Sequence, residues 1–280
     1  MRLTIVGAGT SAPQPETPAS GILVETASTA LLIDCGQGVI RELMAHRDPR
    51  DLDAIIVGHL HADHYIDLVS LRYLMPWTGF TGRRIPVLLP PGGRARVDQL
   101  AAAISEREGF FDHTFDVQEY DPAAGADIGD LRVDYIAGRH YVPAWGCSIA
   151  DADGARVVIS GDTGPNEALV DVAAGADVLV AEATLLDAAD DDLARGHLTV
   201  DEAIDIGVRA GVGRTILVHY RTANVAAISK ATRRRPTVSA GAPGLTIDVL
   251  PRRAVDGASD QSLGGRPAGI ASSASRARCR

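Results

Sequence analysis

Ala54-Ile55-Ile56-Val57-Gly58-His59-Leu60-His61-Ala62-Asp63-His64 is the stretch on which the reading of this chain turns. Ala54 to Val57 is an apolar, β-branched run with the character of a buried strand, and Gly58 ends it. The polar cluster therefore falls on the loop that leaves a strand, just before a helix. Loops held by a rigid scaffold are where function concentrates. His59 and His61 alternate, so an extended loop turns both to one side, while Asp63 and His64 enter the first helical turn. Neutral imidazole and carboxylate are the ligands that zinc and similar divalent metals prefer. Four such groups between positions 59 and 64 suffice for more than one ion.

Three later stretches repeat the arrangement. Ile159-Ser160-Gly161-Asp162-Thr163-Gly164 places an aspartate in a tight glycine turn after an apolar strand. Thr215-Ile216-Leu217-Val218-His219 ends another strand with a histidine, and His140 follows a strand predicted over 131–137. Singly, each has a commoner meaning: an aspartate after a strand caps a helix, and a lone histidine is structural. Together they are four strand ends, each followed by a ligand-type residue. Converging on one edge of a sandwich, they would form a metal site.

The rest of the chain supplies such a scaffold. Its 280 residues allow one large domain or two small ones. Apolar residues make up 46% of it, which excludes wholesale disorder, and only 4% are aromatic, so the core is aliphatic. Strands are predicted over 2–6, 21–26, 30–35, 53–57, 86–89, 131–137, 146–150, 155–160, 177–181, 214–218 and 245–250. Helices are predicted over 38–46, 65–75, 93–107, 165–173, 200–210 and 222–233. The helix at 200–210 carries a capping box, Thr199 with Glu202. Early hairpins followed by alternating strands and helices make a layered α/β pattern. Residues 1–251 read as one domain. The Ser/Ala/Gly/Arg-rich tail, 252–280, has no periodicity and reads as disordered.

The formal charge is −9, but the tail carries +4, so the body is acidic at −13. An acidic body argues against a nucleic-acid surface. Cys35, Cys147 and Cys279 are odd in number and widely spaced, which excludes a disulfide scaffold and fits a reducing, cytoplasmic setting. No apolar run approaches the ~20 residues that span a bilayer.

These motifs resemble the metallo-β-lactamase-fold hydrolases, and within them the ribonuclease Z-like phosphodiesterase group. The resemblance spans about residues 1–250. It is carried by Val6-Gly7-Ala8-Gly9-Thr10-Ser11-Ala12-Pro13, by Leu32-Ile33-Asp34-Cys35-Gly36-Gln37-Gly38 (where the group often has Glu at the position of Gln37), by the HxHxDH cluster, and by His140, Asp162 and His219 in order. It implies a four-layer αββα sandwich with two divalent ions at one edge, zinc, or manganese or iron in its place. His59, His61 and His140 would hold the first ion, Asp63, His64 and His219 the second, with Asp162 bridging. Such a pair lowers the pKa of a bridging water from ~15.7 to near 7, giving a hydroxide that attacks phosphorus or a carbonyl carbon. Asp63 would orient it and take its proton. Gly196-His197-Leu198-Thr199 and Ala181-Glu182-Ala183-Thr184 resemble stretches of this group in which a histidine, helped by an acid, protonates the leaving oxygen. That makes His197 the general acid and Glu182 its partner.

The same resemblance bears on substrate. Enzymes of this group that mature transfer RNA carry a protruding arm, in bacterial forms between the positions of His140 and Asp162. The residues between these two positions are just enough for two strands and a turn. With the acidic body, this favours a small or cyclic nucleotide phosphodiester over tRNA. The alternatives are a ribonuclease Z-like RNA endonuclease and a lactone or carboxylic ester hydrolase; a non-enzymatic accessory protein ranks last. A homodimer is compatible with the resemblance, with an edge such as 65–80. His46 and His113 read as non-catalytic, Cys35 and Cys147 as inert, and Arg233-Arg234-Arg235 as a solvated charge run. The aromatic stretches 75–80 and 141–145 are candidate walls of the site, with aromatic packing away from any ligand the better reading.

Overall fold

Alternation along the first strands builds two apolar faces at once. In β1 (Arg2–Gly7), β2 (Gly21–Glu25), β3 (Ala30–Ile33) and β4 (Ala54–Ile56), the residues Leu3, Ile5, Ile22, Val24, Leu31, Ile33 and Ile56 face one core. Val6, Leu23, Leu32 and Ile55 face another. A sheet that is apolar on both sides needs cover on both, each fully buried Leu or Ile stabilising the fold by about 1.5–3 kcal/mol. The computed structural model describes residues 1–76, 82–191 and 194–252.

The first sheet continues with β5 (Ile85–Leu89) and β6 (Phe115–Glu119). The second holds β7 (Ala126–Ile128), β8 (Leu131–Ala137), β9 (Trp145–Asp151), β10 (Arg156–Ile159), β11 (Val178–Glu182), β12 (Arg214–Val218) and β13 (Val238–Ala240). A last strand, β14 (Thr246–Asp248), returns to pair with β1. The strand orders are β14-β1-β2-β3-β4-β5-β6 and β13-β12-β11-β10-β9-β8-β7. The inner faces share one core, in which Leu31, Ile33 and Ile56 meet Val133, Ile149 and Val157.

Helices close both outer faces. α1 (Val39–Leu43), the short α2 (Ala62–Tyr65), α3 (Leu68–Leu74) and α4 (Gly93–Ile104) bury Val39, Leu43, Tyr65, Leu68, Leu71 and Val97 in the outer core of the first sheet. α5 (Glu167–Ala173), α6 (Val200–Arg209) and α7 (Val225–Thr232) pack on β8, on β11 with β12, and on β13 respectively. The result is the expected αββα sandwich.

Several boundaries differ from expectation for local reasons. The helix expected over 65–75 is two helices. Asp67 turns its backbone N–H to the carbonyl of Cys35, and its carboxylate accepts from Ile40 N at 2.8 Å, so the helical ladder breaks there. The helix expected to reach 107 stops at Ile104, where Ser105 becomes extended. The helix expected from 222 opens with a 3-10 turn, Thr222–Asn224. β6, β7 and β13 were not expected at all; they are short and lie at or beside sheet edges, where half-exposed residues blur the alternation. Of the tail expected to be disordered from 252, Arg252 is instead held to the body, its backbone N–H donating to Asp177 Oδ1 at 2.7 Å and its guanidinium to the Gly211 carbonyl at 2.6 Å; the rest, from 253, lies outside the described residues.

The topology sets the site. β3 and β4 run parallel, as do β10, β11 and β12, and β8 is antiparallel to β9, itself antiparallel to β10. The C-terminal ends of β4, β8, β10 and β12 therefore deliver His59, His140, Asp162 and His219 to one edge.

Candidate metal centre

Each ligand-type residue is aimed by its local backbone. Beyond β4, Gly58 N donates to Asp34 Oδ1 at 2.9 Å, which restrains the loop as it leaves the sheet. His61 is extended (φ −77°, ψ 146°) at the start of α2, so His59 and His61 face the same way and Asp63 and His64 lie in the helical turn. After β10, Gly161 takes φ +57°, and a Cβ there would stand 2.8 Å from the carbonyl oxygen of Trp145, so glycine is required for the turn that presents Asp162. His219 itself adopts φ +51°, unusual for a residue with a side chain, and marks a strained turn at the end of β12.

The seven expected residues come together. His59 Nε2 and His140 Nε2 each lie 3.0 Å from His61 Nδ1. Asp63 Oδ2 is 3.3 Å from His219 Nε2 and 3.6 Å from His64 Nε2. Asp162 Oδ2 stands between the two groups, 3.4 Å from both His64 Nε2 and His219 Nε2, 3.7 Å from His59 Nε2 and 3.9 Å from His140 Nε2. Within each group the donor atoms lie within 4.8 Å of one another, close enough to share a cation.

Hydrogen bonds behind the rings decide which nitrogen faces inward. His64 Nδ1 donates to Asp34 Oδ2 at 2.6 Å, His140 Nδ1 to the Gly196 carbonyl at 2.8 Å, and His219 Nδ1 to Thr184 Oγ1 at 2.8 Å. Their Nε2 atoms are thereby directed at the cluster. His64 Nε2 is buried with no hydrogen-bond partner, an orphaned polar atom that fits the role of a metal ligand. The electrostatics agree. Burial pushes His59, His61 and His140 below the usual histidine value, the neighbouring imidazoles adding to it, so these rings are neutral. Burial opposes ionisation of Asp162, yet the histidines around it, His219 and His64 first, hold it well below the carboxylate range. Asp63 is lowered in the same way by its contact with His219. Burial also opposes a charge on His64, but Asp162 and Asp34 outweigh it and raise that ring well above its ordinary value. Imidazoles and ionised carboxylates in this crowding suit two divalent cations.

Beside the cluster, His197 Nδ1 lies 2.9 Å from Glu182 Oε1, at the end of β11, and 4.0 Å from Asp162 Oδ2. Burial works against a charge on His197, but the hydrogen bond and charge of Glu182, with Asp162, raise it above the usual value. The ring of Tyr141 is 4.7 Å from that of His140 and 5.6 Å from that of His197, so it walls the site. Trp145 packs instead against Tyr120. Trp77 and Phe80 lie outside the described residues. His46 pairs with Glu42, His113 is exposed in the turn before β6, and Arg233-Arg234-Arg235 are exposed after α7. Cys35 and Cys147 are buried free thiols, both raised by burial. Asp34 and Thr184 stand in quoted stretches of the sequence, but nothing local assigns them a role, because each acts on a residue about 30 positions away or more.

A family model described as Beta-lactamase superfamily domain matches residues 29–220. The chain belongs to this superfamily. A Ribonuclease Z of Mycobacterium bovis (strain BCG / Pasteur 1173P2) is 32% identical over 241 residues, covering 79% of this chain and 86% of that one. The metallo-beta-lactamase fold protein YhfI from Bacillus subtilis superimposes with a TM-score of 0.74 at 22% identity, covering 88% of this chain and 99% of that one. The short form of human tRNase Z gives 0.69 at 23% identity, covering 89% and 100%. The chain is a metallo-β-lactamase-fold metallohydrolase related to the ribonuclease Z group, with clustered donors for two metal ions. Among the described residues, no helix is long and apolar enough to cross a membrane.

Proposed function

We propose that this chain is a ribonuclease Z-type phosphodiesterase that hydrolyses a phosphodiester bond of RNA. The observation that carries the reading is the His197–Glu182 pair, 2.9 Å apart and beside the metal cluster. A phosphodiester leaves an alkoxide that needs a proton, whereas a lactone or ester hydrolase depends on such a donor far less. RNA is placed ahead of the small or cyclic nucleotide expected from the sequence because curated relatives covered over most of their length are named Ribonuclease Z.

In this reading His59, His61 and His140 would hold one ion and Asp63, His64 and His219 the other, with Asp162, within reach of both groups, available to each. Zinc suits the imidazole-rich set. Two such ions, when bound, make water acidic enough to attack at neutral pH and neutralise charge developing on the phosphate oxygens. Asp63 orients the attacking water and accepts its proton. As the new oxygen–phosphorus bond forms and the bond to the leaving oxygen breaks, His197 gives its proton to that oxygen. Glu182 keeps the proton of His197 Nδ1 and steadies the imidazolium. Residues 1–251 form the catalytic unit, and the buried free thiols fit a reducing cytoplasm.

A second reading, hydrolysis of a small or cyclic nucleotide, is favoured by one feature. Between His140 and Asp162 the chain forms only β9 and β10, joined directly as an antiparallel pair, so no arm projects there to grip a folded RNA. The test is an initial-rate assay on zinc- or manganese-loaded protein with a 3′-extended RNA and with 3′,5′-cyclic AMP, beside D162A and H197A. RNA cleavage that D162A loses, and that H197A slows by roughly 10²–10⁴-fold, is expected. Removing residues 253–280 should leave the rate unchanged. Cyclic AMP turnover without RNA cleavage would move the assignment to the second reading. Neither activity in protein holding two ions would exclude both.

A further inference from the structure

Three groups at the edge of the candidate metal centre meet at one hydroxyl. Thr184 follows β11, two residues after Glu182. Its Oγ1 lies 2.7 Å from Glu182 Oε2, 2.8 Å from His219 Nδ1 and 3.0 Å from the carbonyl oxygen of His219. His197 Nδ1 is farther, at 3.3 Å.

Counting protons gives these contacts a direction. His219 turns Nε2 toward Asp63 and Asp162, where a cation would bind; with Nε2 a ligand, the ring proton sits on Nδ1 and Thr184 Oγ1 accepts it. A hydroxyl has one proton of its own to give, and its nearest acceptor is Glu182 Oε2. His197 Nδ1 donates to the other oxygen, Oε1, at 2.9 Å. Two backbone N–H groups complete the set, Thr163 on Oε1 at 3.0 Å and Thr184 on Oε2 at 3.1 Å. Glu182 is thus a buried carboxylate clamped by four donors, with two outgoing lines. One runs directly to His197. The other runs through Thr184 to His219.

We propose that Thr184 is a positioning residue, whose hydroxyl carries the orientation of Glu182 to His219, so that one carboxylate aims both the proton donor and a metal ligand. The proposal rests on the reading of His219 as a ligand. A separate observation supports it. His219 sits at φ +51°, a backbone that residues with side chains rarely adopt, and the Thr184 hydroxyl is seated against its ring Nδ1 at that turn. Without the hydroxyl the Nδ1 proton would lose this acceptor, and with it the hydrogen bond that orients Nε2 toward the cluster. Valine keeps the shape of threonine and lacks the hydroxyl; serine keeps the hydroxyl and lacks the methyl.

The test reads metal retention. Zinc-loaded wild type, T184V, T184S and H219A are equilibrated with graded chelator, and the zinc left on each is counted. Wild type should hold two ions, and H219A should identify which of them depends on His219. T184V should release that same ion with roughly 10–100-fold weaker affinity, the usual effect of losing a partner behind a metal ligand. T184S should release it like wild type. T184V holding both ions as tightly as wild type would overturn the proposal, and so would T184S failing as badly as T184V. If wild type lacks a second ion, or H219A retains both, the ligand reading falls and takes the proposal with it. Circular dichroism of the metal-free proteins checks the fold; should T184V not fold, T184A carries the same comparison.

Discussion

In the proposed reaction His197 can give a proton only while it holds one, and Glu182 decides up to what pH it does. The ring is raised although burial alone would lower it, because the hydrogen bond and charge of Glu182 outweigh burial. The protonated form is therefore present below the raised value and lost as pH rises through it. E182Q keeps the shape and removes the charge, so burial should then dominate. The basic limb of the kcat–pH profile is expected to move to lower pH in E182Q; an unmoved limb would mean that another group donates the proton. Asp34 works similarly on the other side, through its 2.6 Å contact with His64. The seven ligand-type residues were legible in the sequence, because each stands in a short pattern or at a strand end, whereas His197 and Glu182 were singled out only by the resemblance of their stretches to a known group. Asp34 and Thr184 were not, because their partners are distant in the chain.

At the scale of elements, α6 anchors the segment that carries His197. Thr199, two residues on, is its N-cap: Thr199 Oγ1 accepts from Glu202 N at 3.2 Å, and Glu202 Oε2 accepts from Thr199 N at 2.9 Å. The helix buries Val200, Ala203, Ile204 and Ile206 against the second sheet. T199A should lower stability by about 0.5–2 kcal/mol, read as a lower denaturant midpoint with an unchanged m-value. This capping box could be read from four residues of sequence, because it is wholly local. The division between α2 and α3 could not, because it follows from Asp67 reaching back to Cys35 and Ile40.

The whole molecule holds its polar edge together by topology. His59, Asp63, His64, Asp162 and His219 are all buried where two sheets meet, and without cations they depend on one another for compensation. Metal that binds only the folded chain stabilises it by about 4 kcal/mol per ion at a thousandfold excess over Kd. Chelation should therefore lower the melting temperature by roughly 8–16 °C per ion lost, since each kcal/mol shifts it by roughly 2–4 °C at this size. Restoring zinc should restore it. A melting temperature indifferent to chelator would show that the cluster holds no ion.

The sequence by itself determined the layered α/β class, the strand-end character of each ligand-type residue and the HxHxDH cluster. Those signals lie within a few residues of chain, where alternation, glycine turns and caps operate. Only the tertiary structure decided that Asp162 reaches both groups of imidazoles, that His64 keeps a buried nitrogen bare, and that Glu182 touches His197 directly and His219 through Thr184. Those facts depend on the parallel register of β10, β11 and β12 and on the packing of one sheet against the other. Such long-range geometry brings residues from His59 to His219 within hydrogen-bonding distance of shared partners, and no local pattern encodes it.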